Sequence, residues 1–406
     1  IHFTPDIDQG TVEITYSLSD CTVFPCELEW DIRFKDHPVS HGSLTVSEKR
    51  GKIIVDIFKN KALRGSFHFT GWYWSPEHPN LFTVSALLKS RNILLDQVET
   101  YFGMRKVHVH GGRVYLNNQP YYQKLLLDQG YWPDGLYTAP SDEALRRDIE
   151  QAKALGFNML RKHIKVEPLR WYYHCDRLGM LVWQDMPNGG RRYNPVIISA
   201  PLVTGIHLND STHALFARSD SEGRAQFKSE LGELVNHLYN CPCICMWVIF
   251  NEGWGQFGAR KMYDFVRSMD KTRVIDHASG WHDQGGSDLK SRHVYYRPVR
   301  LRGDGRRVLA LTEFGGYSLQ CPGHLASDKK FGYRMYDHAA AWMDAVERLY
   351  ETEVLPLIES QGLSAAVYTQ LSDVEDEVNG LVTYDRRAVK LPVSAPFALN
   401  AQLKRE

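Results

Sequence analysis

The sequence predicts an immunoglobulin-like β-sandwich followed by a (β/α)8 TIM barrel. Three observations predict it. Residues 1–103 alternate apolar and polar positions with a period of two, as strands with one buried face do. From residue 104 onward helix and strand signals alternate instead. Within that later stretch, a pair of apolar runs each stop at a glutamate, Trp247-Val248-Ile249-Phe250-Asn251-Glu252 and Leu309-Ala310-Leu311-Thr312-Glu313-Phe314-Gly315-Gly316.

The first hundred residues divide into short alternating runs: Val12, Ile14, Tyr16 and Leu18; Leu28, Trp30, Ile32 and Phe34; Ile53, Val55 and Ile57; Phe82, Val84, Ala86 and Leu88. Strands at this spacing, with no helical stretch between them, suit a small sandwich. Beyond them Ser141 is placed to cap a helix with Asp142 and Glu143 in its first turn. Leu145, Ile149 and Ala152 share one face of it, and Gly156 ends it. Pro168 opens the next helix and Gly179 closes it. Eight strand candidates punctuate the helices, at 124–127, 157–160, 180–183, 244–250, 274–275, 293–295, 309–311 and 365–368. About 300 residues of βα units make one barrel. The alternative, an open doubly wound sheet, carries a Gly-rich phosphate loop after its first strand, and none is present. The expected domains are 1–103 and 104–406. Residues 187–222, rich in Gly, Pro, Asn, Ser and Arg, form a long connection that leaves the third barrel strand and should overhang the site.

Composition narrows the function. The 406 residues are 43% hydrophobic and 24% charged, with zero formal net charge. A nucleic-acid partner calls for a basic excess, so none is expected. No run of about 18 apolar residues exists, so no membrane span is expected. No signal-peptide pattern follows Ile1. There are seven cysteines. Cys241, Cys243 and Cys245 alternate as if along one strand face, where packed thiols or a three-thiolate metal site are the two readings. Cys21 and Cys26 are near enough in sequence to bridge, but nothing requires it. The cysteine pattern favours a reducing, cytoplasmic setting. A homo-oligomer is left open.

In a barrel of parallel strands the active-site groups sit at the C-terminal strand ends. The polar residues there are Asp128, Arg161, His163, Asp185, Asn251, Glu252, His277, Tyr295, Glu313 and Asp373. Aromatic residues lie close in sequence: Tyr131, Trp132, Trp183, Trp254, Trp281, Tyr296 and Tyr317. Sugars offer hydroxyls and apolar C–H faces, and this mixture meets both. Two glutamates supply the acid and the carboxylate that glycosidic cleavage needs, one attacking the anomeric carbon and one protonating the leaving oxygen. Arg161 either keeps the attacking glutamate ionised or locks two strands by a salt bridge. His163 is either structural or a member of the site. Arg161-Lys162-His163 with Asp185 could also suggest a metal or phosphate site, but the spacing supports neither, so no metal and no cofactor are assigned.

Asn251-Glu252 closing residues 246–250, and Thr312-Glu313-Phe314-Gly315-Gly316-Tyr317-Ser318, resemble the acid/base and nucleophile motifs of glycoside hydrolase family 2. That family holds β-galactosidases, β-glucuronidases and β-mannosidases. Asn158-Met159-Leu160-Arg161-Lys162-His163, running to Cys175-Asp176-Arg177-Leu178-Gly179-Met180, resembles its second βα unit. Phe102-Gly103-Met104-Arg105 resembles its sandwich-to-barrel junction, and Trp74-Ser75-Pro76-Glu77 to Asn80-Leu81-Phe82 its late sandwich motif. The resemblance implies a retaining exo-β-glycosidase, β-galactosidase first and β-glucuronidase or another β-glycosidase second. It implies Glu252 as acid/base, Glu313 as nucleophile, Asn251 at the sugar 2-hydroxyl, Arg161 behind the nucleophile and Tyr295 as the strand-six tyrosine. Asp128, His163, Asp185, Trp281 and Asp373 are the further candidates for contact with the carbohydrate. Three departures stand out. The family's N-terminal jelly roll has no counterpart in the matched stretches, so a non-catalytic carbohydrate-binding protein is the reading from another class. The histidine after the arginine comes one residue early. The eighth strand reads Tyr368-Thr369-Gln370, without the family's tryptophan. The family's uronate-reading Asn-x-Lys motif is absent from Glu377-Val378-Asn379-Gly380-Leu381, so a neutral sugar is expected.

Overall fold

In a computed structural model the described residues are 1–18, 25–60, 63 and 71–391. Cys21 lies outside them, so its pairing with Cys26 is not described; nor are residues 392–406 of the expected second domain.

The alternating runs fold as antiparallel strands: β1 (His2–Asp6), β2 (Thr11–Ser17), β3 (Cys26–Phe34), β4 (His37–Val46), β5 (Arg50–Asp56), β6 (Phe82–Ser90) and β7 (Ile93–Phe102). They make a three-stranded sheet, β1-β2-β5, and a four-stranded one, β4-β3-β6-β7. Val12, Ile14, Ile32, Phe34, Val55, Phe82 and Val84 are buried together between them, because period two gives each strand one apolar face. Phe82 stacks on Phe34 and Phe102 at 4.7 and 5.1 Å.

A small antiparallel sheet, β8 (Val107–His110), β9 (Arg113–Leu116) and β10 (Gln119–Pro120), precedes the barrel. The barrel strands are β11 (Gln123–Asp128), β12 (Met159–Lys162), β13 (Leu181–Asp185), β14 (Ile244–Val248), β15 (Val274–Asp276), β16 (Leu289–Val294), β17 (Val308–Gly315) and β20 (Leu363–Thr369). They are all parallel, in the order β15-β14-β13-β12-β11-β20-β17-β16, which closes except between β15 and β16. Each of the eight expected strands is present. They read as continuous apolar runs because both faces are covered.

Helices α1 (Asp142–Ala154), α2 (Leu169–Leu178), α3 (Pro195–Thr204), α4 (Ser221–His237), α5 (Ala259–Met269), α6 (Ala339–Leu349) and α7 (Leu355–Gln361) surround the barrel. Ser141 caps α1 by accepting the Ala144 N–H at 3.1 Å. Gly179 ends α2 at φ +72°, a conformation its missing Cβ permits. The βα alternation is incomplete: β15 and β16 are followed by loops, not helices. The long connection after β13 holds α3. Its Asn188 accepts the Asn251 N–H at 2.8 Å, which ties it to the end of the fourth barrel strand. A short pair, β18 (Tyr317–Leu319) and β19 (Arg334–Tyr336), follows β17.

Cys241 and Cys243 precede β14 rather than lining it; Cys245 alone is in the strand. Pro242, which cannot donate to a ladder, sits between them and the strand starts at Ile244. All three thiols are buried and burial pushes each pKa up, as in packed, unreactive thiols. Among the described residues no helix is long and apolar enough to cross a membrane.

Candidate active site

Arg161 organises the C-terminal mouth of the barrel. It sits on β12, wholly buried, and all five of its N–H donors are used. Nε and Nη2 fork onto Asp185 at 3.0 and 2.9 Å. Nη2 also reaches Asn251 Oδ1 at 2.8 Å, and Nη1 reaches the Thr312 carbonyl at 3.0 Å and Glu313 Oε1 at 3.1 Å. One residue thus joins the second, third, fourth and seventh strands. Burial works against charge on both Asp185 and Arg161. Their attraction outweighs it, so Asp185 is held below the usual carboxylate range and Arg161 above its own. His163 Nδ1 lies 3.2 Å from Asp185 and its ring meets Trp254 edge-on.

Glu313 is buried near the end of β17. The ladders to β16 and β20 shift register beside it, an irregularity of the kind that re-aims a side chain. Its Oε2 accepts the Tyr295 hydroxyl at 2.5 Å, and Tyr295 also meets Thr369 Oγ1 at 2.9 Å. The Gly-Gly pair that follows has a steric reason. Both glycines have positive φ, and a Cβ on Gly315 or Gly316 would lie 2.4 Å from the Tyr368 ring or 2.2 Å from the Tyr333 ring. Tyr333 is therefore free to stack on Tyr295, with centroids 3.7 Å apart.

Glu252 follows β14 with φ +50°, the left-handed region, which costs a non-glycine residue about 1–3 kcal/mol. Its backbone is held there by its N–H to the Ser279 carbonyl at 3.0 Å. The turn aims the side chain at His293, whose Nδ1 is 2.8 Å from Glu252 Oε1 and 3.5 Å from Glu313 Oε2. His293 Nε2 meets Ser279 Oγ at 3.1 Å. Burial raises the Glu252 pKa to about 7, against the opposing pull of His163 and Arg161. Burial pushes His293 down to about 3, which the negative charge of Glu313 only partly offsets.

The carboxylate oxygens of Glu252 and Glu313 and the His293 nitrogen all lie within 4.8 Å of one another. That donor set could hold a cation, but hydrogen bonds already account for each member.

The other expected residues divide. Trp281 is buried, 5.2 Å centroid to centroid from His293. Asp128 is buried and paired with Lys162 at 2.6 Å, one oxygen left without a partner. Asp373 is turned away: its Oδ1 takes Lys390 at 2.6 Å and the Gly380 N–H at 2.8 Å. His277 faces the 282–284 loop, accepting the Gln284 N–H at 3.1 Å. Of the aromatic residues, Trp183 is core, its Nε1 bonded to Gln123, whereas Trp254 stays at the mouth between His163 and Tyr193. Sequence reasoning missed His293 and Tyr333, and met Glu377 only as one of the acidic residues where the Asn-x-Lys motif is absent. His293 stands two residues before Tyr295, so the shared strand face was a usable signal. Tyr333 and Glu377 lie in loops without periodicity.

Residues 1–105 match the model of glycosyl hydrolases family 2, and residues 107–300 match the family 2 TIM barrel domain. A β-galactosidase of Pectobacterium atrosepticum is 27% identical over 218 residues, covering 53% of this chain and 19% of that one. The chain spans about a fifth of the length of the curated relatives it matches first. In fold it is similar to the β-glucuronidase of Parabacteroides merdae, TM-score 0.70 and 15% identity, covering 100% of this chain and 52% of that one. It is likewise similar to a β-galacturonidase of Eisenbergiella tayi solved with galacturonate, TM-score 0.68 and 17% identity, covering 99% of this chain and 71% of that one. The two family models cover the sandwich and most of the barrel, and the chain belongs to glycosyl hydrolases family 2.

Proposed function

We propose that this chain carries the active site of a retaining exo-β-glycosidase acting on terminal β-linked sugars. One observation carries the reading: Glu252 and Glu313 present carboxylate oxygens within 4.8 Å of each other, in unlike environments. Retention calls for carboxyl groups about 5–5.5 Å apart, whereas inversion needs roughly 6.5–9.5 Å to admit a water. Glu313, hydrogen-bonded by the Arg161 guanidinium and the Tyr295 hydroxyl, is placed to attack the anomeric carbon. Glu252, kept protonated to about pH 7, is suited to protonate the leaving oxygen as the glycosidic bond breaks. Water, deprotonated by Glu252, then displaces Glu313 from the sugar. Asn251, fixed through Oδ1, keeps a buried Nδ2 amide without a partner, in keeping with a role at the sugar 2-hydroxyl.

The first substrate expectation is a β-galactoside, in line with the named relative, and the second a β-glucuronide, in line with the fold neighbours. The two-domain division at 103/104 belongs to the proposal and is supported by two largely separate apolar cores, although Trp74 packs into the barrel core and Met104 into the sandwich core. Aryl β-glycosides with a common leaving group test the whole reading. Turnover is expected, with the β-anomer of the sugar formed first by NMR; no turnover of any aryl glycoside, or first formation of the α-anomer, contradicts it.

A further inference from the structure

The barrel mouth contains a further carboxylate for which the two-glutamate chemistry has no use. Glu377 lies in the segment after β20, in a tight turn in which Val374 and Glu377 exchange backbone hydrogen bonds at 2.8 and 3.0 Å. Its Oε2 is clamped by two amides: Gln370 Nε2 at 2.7 Å and Gln129 Nε2 at 3.1 Å. Gln129 and Gln370 are the residues that follow β11 and β20, so the clamp spans the C-terminal ends of the first and eighth strands. Gln370 is itself braced by Asn379 Oδ1 at 2.7 Å. Among the described residues Oε1 of Glu377 has no hydrogen-bond partner.

Two routes tie Glu377 to Glu313. Thr369, adjacent to Gln370, bonds the same Tyr295 hydroxyl that is donated to Glu313. Glu377 also bridges to Phe331, whose ring meets Tyr333, which stacks on Tyr295. The charges of Glu313 and His163 are felt at Glu377, and burial raises its pKa.

The cations nearby are spoken for. Arg161 has no free donor, Lys162 is held by Asp128 and Glu167, and Lys165 by Gly130 and Glu167. Lys390 is held by Asp373 and two carbonyls. Among the described residues His163 already faces Asp185, and Arg334, next to Tyr333 in the chain, lies over the Tyr317 ring. A sugar carboxylate beside this clamp would meet the negative charge of Glu377, and like charges close together in a poorly solvated site repel strongly.

We propose that Glu377 determines specificity in the glycone pocket, its free oxygen accepting a hydrogen bond from a sugar hydroxyl while its charge bars uronic acids. The clamp holds the carboxylate in place and leaves one acceptor oxygen without a partner among the described residues, as recognition of a hydroxyl requires. The inference rests on the glycosidase reading for its site.

Its test compares wild type with Glu377→Gln and Gln129→Ala on aryl β-galactoside, β-glucoside and β-glucuronide of one leaving group. Tryptophan fluorescence titrations with free galactose, glucose and glucuronate run in parallel. The glutamine substitution keeps an oxygen for the two clamping amides, so the melting curve should be unchanged. Wild type is expected to prefer a neutral glycoside at least about 100-fold in kcat/KM. Glu377→Gln should narrow that ratio at least tenfold, mostly through KM, and Gln129→Ala should raise KM for the neutral sugar. A wild-type preference for glucuronide or glucuronate overturns the inference, as does a ratio unchanged in Glu377→Gln. If nothing is hydrolysed but a neutral sugar binds in a Glu377-dependent way, the hydrolase reading fails and this one stands.

Discussion

His293 Nδ1 and Glu252 Oε1 face each other at 2.8 Å with one proton to share. Burial depresses the imidazole to about 3 and raises the carboxyl to about 7, so between those limits the proton belongs to Glu252. His293 then accepts from Glu252 at Nδ1 and donates from Nε2 to Ser279 Oγ. This tautomer stabilises the neutral acid. Loss of the acceptor therefore lowers the acid's pKa.

The first prediction follows from that sign. For a glycoside with a poor leaving group, kcat/KM should fall as pH rises through about 7, where Glu252 loses its proton. In His293→Ala the alkaline limb should move down by about one pH unit, one hydrogen bond's worth. Full pH profiles of both proteins check it; an unmoved limb would show that His293 does not hold the proton in place.

Arg161 carries the second prediction. Arg161→Met leaves Asp185 and Glu313 buried without a cation, at a cost of about 3–5 kcal/mol in denaturant unfolding. The exposed Lys52–Glu13 pair is the contrast, its side chains 64% and 35% accessible, and Lys52→Met should cost under about 1 kcal/mol. Arg161→Lys keeps the charge but not the five-donor fork, so it should fall between. Because Asp185 is held below its ordinary 3.8, its share of stability is present above that pH and lost as pH falls further. Equal losses for Arg161→Met and Lys52→Met would refute the organising role.

The fold was largely legible because period two and period 3.6 are local properties of the chain. Val12, Ile14 and Ile32 face the sandwich core, and Leu309, Ala310 and Leu311 fill a strand, as their spacing implies. The glutamate pair was legible for a related reason: a charged residue ending an apolar run has a fixed address in a parallel barrel. Strand spacing could not reveal the turn at Glu252, whose left-handed backbone aims its side chain at His293. Nor could it separate Asp373, paired with Lys390, from Glu377, four residues on and held by the Gln370 amide. Those partners come from distant segments, and only tertiary packing chooses between neighbouring carboxylates. The run of three cysteines misled because Pro242 postpones the strand to Ile244.

Tyr295 gives the third prediction. Its hydroxyl is donated to Glu313 at 2.5 Å while its ring stacks on Tyr333. Tyr295→Phe keeps the stack and deletes the donor. A hydrogen bond to a charged group contributes about 1.5–3 kcal/mol, so kcat should drop roughly 10- to 150-fold with little change in the melting curve. Tyr333→Ala should act differently, raising KM and loosening Tyr295 together. A Tyr295→Phe protein of wild-type activity would remove the tyrosine from the chemistry.

The fourth prediction separates the two glutamates. Glu313→Ala deletes the group proposed to attack, so turnover should fall by about 10⁴-fold or more for every leaving group. Glu252→Ala deletes the proton donor, typically about 10²–10⁴-fold in rate, but a leaving group that departs without a proton still allows the glycosyl-enzyme to form. Its breakdown then lacks a base and becomes slow. Azide needs no base, and it approaches from the face that the leaving group vacated, opposite the bond to Glu313. Added azide should therefore restore turnover of an activated aryl glycoside in Glu252→Ala and yield the β-glycosyl azide. In Glu313→Ala azide can enter only on the opposite face, so any product there should be the α-azide. NMR of the two products decides the assignment. An α-azide from the Glu252 variant would exchange the roles, and failure of azide to stimulate either variant would argue against a glycosyl-enzyme on Glu313.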